Sequence, residues 1–116
     1  MSAAESARLE ELFAGSPLMA ILRGMGMDRS LRLAETAWDL GLEAVEVPLQ
    51  TDEDERVLRE LSSRAAANGR SVGAGTILRP EQVDVARAAG AAYLVSPGLD
   101  PRVVEAARAA ALPILP

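Results

Sequence analysis

Glu46 stands inside an apolar run, Ala44-Val45-Glu46-Val47, where a charge is costly unless it has a partner. In an extended chain Ala44 and Glu46 share one face while Val45 and Val47 point the other way. A carboxyl directed into the mouth of a parallel-strand fold would have its pKa raised by desolvation, which suits a general acid or base. The competing reading is structural: a glutamate salt-bridged to Arg23. Arg23 closes the apolar run Pro17 to Leu22. It is either a fork for a substrate carboxylate or phosphate or an ordinary surface arginine at a strand end. Gly73-Ala74-Gly75-Thr76 would let backbone approach a ligand, because glycine lacks a Cβ. It lacks the Gly-Lys pair of a Walker loop and by itself also reads as a simple turn. Ser96-Pro97-Gly98 is a further turn signal. The acidic run Asp52 to Glu55 falls where a helix begins, so it reads as a solvated first turn complementing the helix dipole rather than as a metal site.

Absent residue types exclude more chemistry than any motif supplies. The 116 residues contain no His and no Cys, and all 12 basic residues are Arg, so Lys is absent as well. There is therefore no Ser-His triad, no imidazole base, no thiol nucleophile, no disulfide and no thiolate metal site. A Schiff base cannot form on any side chain of these residues. Proton transfer is left to carboxylates, Tyr93 and water. The net charge is −5 with no basic run, which argues against a nucleic-acid partner but not against one small phosphate or carboxylate held locally. Phe13, Trp38 and Tyr93 are the only aromatics, too few for a base-stacking surface. No apolar stretch reaches the roughly 20 residues that span a bilayer. The segment Met1 to Gly15 carries Glu5, Glu10 and Glu11 and lacks a signal-peptide pattern. The expectation is a cytoplasmic protein with no membrane partner.

Hydrophobic residues make up 49% of the chain, enough for a core, and the length suits one domain. Periodicity predicts a leading helix over Ser2–Phe13 on Ala3, Ala7, Leu9 and Leu12. A strand over Pro17–Leu22 follows, then a helix capped by Asp28 whose face is Leu31, Ala34, Ala37, Trp38 and Leu40. Gly41 is placed to close it. Further strands are expected over Ala44–Leu49, Ser71–Thr76, Ala92–Val95 and Leu112–Leu115. The intervening helices start at Thr51, Pro80 and Asp100-Pro101, and Asn68-Gly69, Gly90 and Ala111 end them. Regular βα alternation implies an α/β fold of parallel strands joined by right-handed crossovers. A doubly wound sheet usually finishes with a helix over its last strand. A (β/α)8 TIM barrel needs eight units and about 200 residues. The fifth strand is bare, and an unpaired apolar edge invites pairing. Residues 1–116 are therefore expected to form one partial barrel domain, truncated after strand five.

Taken in order, Ala20-Ile21-Leu22-Arg23-Gly24, Glu43-Ala44-Val45-Glu46-Val47-Pro48-Leu49, Val72-Gly73-Ala74-Gly75-Thr76, Pro80-Glu81-Gln82 and Ser96-Pro97-Gly98-Leu99 resemble the 2-keto-3-deoxy-6-phosphogluconate (KDPG) and 2-keto-3-deoxy-6-phosphogalactonate aldolase family from about Leu18 to Pro116. The resemblance implies the N-terminal half of a TIM barrel, leading helix plus strands one to five with four intervening helices. It also implies a class I lyase that cleaves a phosphorylated 2-keto-3-deoxy sugar acid to pyruvate and glyceraldehyde 3-phosphate, without metal or cofactor, as a trimer. Glu46 matches the family's general acid/base. Arg23 and Thr76 match the pyruvate end of the site, and Gly75 and Pro97 the neighbouring backbone. Gln50 falls where some members carry Arg and others Asn or Thr. With Val47-Pro48 it leans toward the galactonate subgroup. The Schiff-base lysine of such enzymes lies on the sixth strand, outside these residues. Other readings are a non-catalytic half barrel that binds a keto acid or pairs with a second copy, a metal-dependent aldolase, and a receiver-like doubly wound module. The last needs acidic residues where Arg23-Gly24 stands.

Overall fold

The computed structural model describes residues 3–116; Ser2, where the predicted first helix starts, lies outside them. The elements are α1 (Ala3–Phe13), β1 (Met19–Ile21), α2 (Met27–Asp39), β2 (Ala44–Pro48), α3 (Asp52–Ala67), β3 (Gly73–Gly75), α4 (Pro80–Ala88), β4 (Tyr93–Val95), α5 (Pro101–Ala109) and β5 (Ile114–Leu115). Their order is the predicted one. The strands are shorter than the apolar runs that announced them, although pairing continues past their ends: Leu22 N donates to Glu46 O at 2.9 Å.

All five strands are parallel, in the order β1-β2-β3-β4-β5. A doubly wound sheet reverses its strand order at a switch point; here every crossover steps one strand in the same direction. That winding lays the helices side by side in one layer, with α2 against α3, α3 against α4 and α4 against α5. Val45, Val47, Ala74 and Leu94 face this layer and meet Leu58, Leu61, Val83 and Val103, all at most 1% exposed. The opposite, inner face follows from the register Ile21↔Glu46↔Gly73↔Tyr93. It is closed in its middle and open at its flanks, where Ile21 is 51% exposed.

Two sequence expectations need correction. Asp28 lies in the first turn of α2, and the N-cap is Gly26, with no side-chain hydrogen bond. Leu40 is the C-cap residue of α2 and is exposed, so the buried face of that helix is Ala34, Ala37 and Trp38. In α1 only Leu9 is buried. This helix is not part of the outer layer: it lies at the N-terminal ends of the strands, where Arg8 donates to Ala111 O at 3.3 Å. A cavity of about 270 Å³ separates it from Ser71, Tyr93 and Pro113.

Four helices end alike. Gly41 N bonds to Trp38 O and Leu42 N to Ala37 O, and the same pair of bonds recurs at Gly69-Arg70, Gly90-Ala91 and Ala111-Leu112. This is the Schellman closure, which needs a left-handed residue after the C-cap. Glycine supplies it three times, and Ala111 supplies it at φ 57°. An L-residue with a Cβ costs about 1–2 kcal/mol there. Ala111→Gly should therefore stabilise the fold by about 0.5–1 kcal/mol, the strain relieved less the extra unfolded-chain entropy of glycine. Ala111→Val should destabilise it. Urea unfolding reads both, as a shift of midpoint at unchanged slope.

Candidate active site

Glu46 occupies the middle of β2, a strand buried along its whole length, and is itself 3% exposed. Its carboxylate lies on the inner face over Gly75 of the neighbouring strand. A Cβ at position 75 would overlap Glu46 Cδ and both carboxylate oxygens. Glycine at 75 is thus what makes room for the acid. Glu46 Oε2 is buried and has no hydrogen-bond partner. Burial pushes the carboxyl above its ordinary value, and the Arg23 charge pulls it part of the way back. The salt-bridged, structural reading of Glu46 does not hold. Arg23 forms no ion pair with it and instead donates from Nη1 to Gln50 Oε1 at 2.9 Å. A protonatable, unsatisfied carboxyl in a dry berth is equipped to exchange a proton with a ligand or water reaching that face.

Gln50 is exposed and fixed at its backbone. Gln50 N and Thr51 N both donate to Asp54 Oδ2 at 2.9 Å, and Asp54 N donates to Thr51 Oγ1 at 3.2 Å. This capping box starts α3 and gives Asp54 a structural task. Glu55 pairs with Arg59 at 3.0 Å. The acidic run is therefore a helix start, as its position implied. Among the described residues no group of three His, Cys, Asp or Glu is placed to hold a metal ion.

Thr76 follows Gly75 at the C-terminal end of β3 and has φ 56°. A β-branched residue in the left-handed region is strained. Its carbonyl accepts from Gln82 Nε2 at 3.2 Å. The next carbonyl, of Ile77, accepts from Ser96 Oγ at 2.9 Å. Pro97 is exposed and lines a cleft with Ile77, Leu78 and Leu99 at the ends of β3 and β4. Arg23, Gln50, Glu46 and Gly75 thus form one group through direct contact or charge. Thr76 adjoins them along β3, and Pro97 lines a separate cleft.

The placement of two residues escapes sequence reasoning. Tyr93, on β4, lies across Gly73, whose Cβ would overlap its ring. Its hydroxyl donates to Val45 O at 2.6 Å, the carbonyl just before Glu46. Burial pushes this phenol far above its ordinary value, and the nearby Glu46 carboxylate adds to the shift. With its hydroxyl committed to Val45 O, Tyr93 is an anchor beneath the acid. Gln82, in the first turn of α4, bonds to Leu49, Thr76, Leu78 and Arg79. A Gln three residues after a cap is a known helix-start signal when the cap is Ser or Thr. Here the cap is Arg79, and the signal is masked.

A family model described as KDPG and KHG aldolase matches residues 9–116. Over 91 residues the chain is 36% identical to the 2-dehydro-3-deoxy-6-phosphogalactonate aldolase of Escherichia coli, covering 78% of this chain and 44% of that protein. It is 35% identical over 89 residues to the 2-dehydro-3-deoxy-phosphogluconate aldolase of Haemophilus influenzae, covering 77% and 41%. The solved structure of KDPG aldolase from Legionella pneumophila, with pyruvate captured as a covalent carbinolamine, superposes with a TM-score of 0.79 at 30% identity, over 90% of this chain and 50% of that one. The chain spans just under half the length of these curated relatives. Its architecture is that of half a TIM barrel.

Two expectations follow from the berth of Glu46. Gly75→Ala should cost about 1–3 kcal/mol by overpacking. Most of that cost should vanish in a Glu46→Ala background, where the overlapping carboxylate is gone; urea unfolding of the four proteins measures the coupling. Because the folded-state pKa of Glu46 is raised, its contribution to stability is full below the ordinary unfolded value and is lost as pH rises through the folded value. Glu46→Gln should therefore flatten the decline in stability between acid and neutral pH. Parallel profiles for the two proteins would show that the carboxyl titrates normally.

Proposed function

The chain belongs to the KDPG and KHG aldolase family, and we propose that the protein of which it forms part cleaves a 2-keto-3-deoxy-6-phospho sugar acid to pyruvate and glyceraldehyde 3-phosphate. The observation that carries this reading is Glu46: buried, with a raised pKa and one carboxylate oxygen free, on the inner face of a half barrel. Residues 1–116 contain no lysine. The Schiff-base lysine and the phosphate-binding loops are assigned to residues outside this chain, in the remainder of the same barrel domain, which would also cover the open flanks of the inner face.

In this scheme the substrate ketone condenses with the lysine amine and loses water. The resulting iminium accepts the electrons of the C3–C4 bond when the C4 hydroxyl gives up its proton to Glu46, directly or through a water. The aldehyde leaves, Glu46 returns the proton to C3 of the enamine, and water releases pyruvate from the lysine. A carboxyl whose pKa is raised by burial holds a proton more readily than an ordinary glutamate, which suits it both to take a proton and to return it. Arg23 and Thr76 hold the carboxylate end of the keto acid, with the Gly75 backbone beside them, and Pro97 borders the site from the neighbouring cleft. Gln50 orients the Arg23 fork, and with Val47-Pro48 it favours the galactonate substrate over the gluconate. The protein works as a cytoplasmic trimer without metal or cofactor.

The test is pyruvate release from the gluconate and galactonate substrates by the full-length protein, with borohydride trapping of pyruvate. Expected are turnover that survives EDTA and a covalent pyruvate adduct. Glu46→Gln should lower kcat by about 10²–10⁴-fold while still forming the adduct. Residues 1–116 alone should neither cleave substrate nor trap pyruvate. Full-length protein with no turnover and no adduct would remove the aldolase reading, and activity lost to EDTA would turn it toward a metal-dependent enzyme.

A further inference from the structure

The side-chain amide of Gln82 is fully committed. Its Oε1 accepts from Leu78 N at 2.7 Å and Arg79 N at 3.0 Å, and its Nε2 donates to Leu49 O and Thr76 O, each at 3.2 Å. Two N–H groups face the oxygen and two carbonyls face the nitrogen, so the amide has one workable orientation. The four partners belong to two loops, one leaving β2 and one joining β3 to α4. Leu49 N also donates to Gly75 O at 2.9 Å, so the ends of β2 and β3 are joined by backbone and then by this single side chain.

Between those bonds lies Thr76 at φ 56°. Left-handed backbone at a β-branched residue persists only where its surroundings over-determine it. Rotation of φ back to the ordinary negative region would swing the Thr76 Cβ and hydroxyl away from where the loop now holds them. We propose that Gln82 is a positioning residue of the keto-acid site: by binding the carbonyls of Thr76 and Leu49 together, its Nε2 keeps Thr76 in the left-handed conformation in which it meets the substrate carboxylate. This rests on the aldolase reading for the identity of the ligand. It does not rest on that reading for the clamp itself.

The simpler role for Gln82 is a helix cap, since its oxygen takes two N–H groups at the start of α4. Gln82→Glu separates the roles. A carboxylate still accepts from Leu78 N and Arg79 N, and negative charge is favoured at a helix N-terminus. It has no N–H for the carbonyls of Thr76 and Leu49. A pure cap would therefore tolerate the change, and a clamp would not.

The experiment uses the full-length protein and pyruvate with borohydride. In Gln82→Glu the pyruvate concentration for half-maximal trapping should rise about tenfold, while the maximal rate stays within about twofold. An unchanged half-saturation would overturn the proposal. Amide exchange by NMR, without ligand, gives a second readout. In Gln82→Glu the Leu78 and Arg79 amides should keep their protection while Ile77, whose N–H bonds to Val95 O at 3.2 Å, should exchange at least about tenfold faster. Unaltered protection of Ile77 would likewise count against the clamp. Should the variant not fold, the unmodified protein decides: the Gln82 side-chain amide protons should exchange slowly, and exchange at the rate of a free amide would refute the clamp. Wild-type protein that traps no pyruvate would remove the aldolase reading and leave the exchange results standing for or against Gln82.

Discussion

A carboxyl group in the middle of a buried strand is the costliest item in this fold, and the surrounding arrangement is what makes it tolerable. Glu46 keeps its place because β3 offers no side chains on the inner face. Gly75 gives space to the carboxylate and Gly73 gives space to the Tyr93 ring. The parallel register aligns Glu46 with Gly73 and Pro48 with Gly75. One strand of small residues thus carries a polar group from each side, an acid from β2 and a phenol from β4. Shifting that register by one residue would turn the apolar set toward the inner face and bury the acid among helices.

Charge is kept near the acid without neutralising it. Arg23 is close enough to lower the Glu46 pKa somewhat, yet its fork is engaged by Gln50. A direct Arg–Glu pair would have held the carboxyl ionised and well below the ordinary range. Burial without pairing raises it instead. The difference between a structural and a reactive glutamate here comes down to which acceptor the Arg23 guanidinium finds. That acceptor is positioned by the capping box at the start of α3.

Much of the architecture was legible because it is written in local chemistry. Gly41, Gly69 and Gly90 mark helix ends, Thr51 and Asp100 mark helix starts through their side chains, and apolar runs between them become strands. Asp28 misled because an acid in a first turn and an acid at a cap look alike in sequence, while the true cap, Gly26, leaves no side-chain sign. Leu40 misled because periodicity continues one residue past the last helical turn. The site was partly legible: a charge inside an apolar strand identified Glu46, but its freedom from Arg23 depends on three-dimensional distance. The roles of Tyr93 and Gln82 rest on hydrogen bonds to residues on other strands and loops, Val45 and Leu49 among them. No periodic pattern encodes such pairs.

The sequential strand order has a consequence for how the molecule comes into being. Each strand after β1 pairs with the strand made immediately before it, and α3, α4 and α5 each pack beside the preceding helix. Apart from α1, whose Arg8 waits for Ala111, these strand and helix pairings need no distant partner, so their loop closure costs are of one modest size. Units can be added in the order in which a ribosome delivers them, each settling onto an edge already formed. The inner face, with Glu46 seated over Gly75, is then shaped while later parts of the polypeptide are still being synthesised.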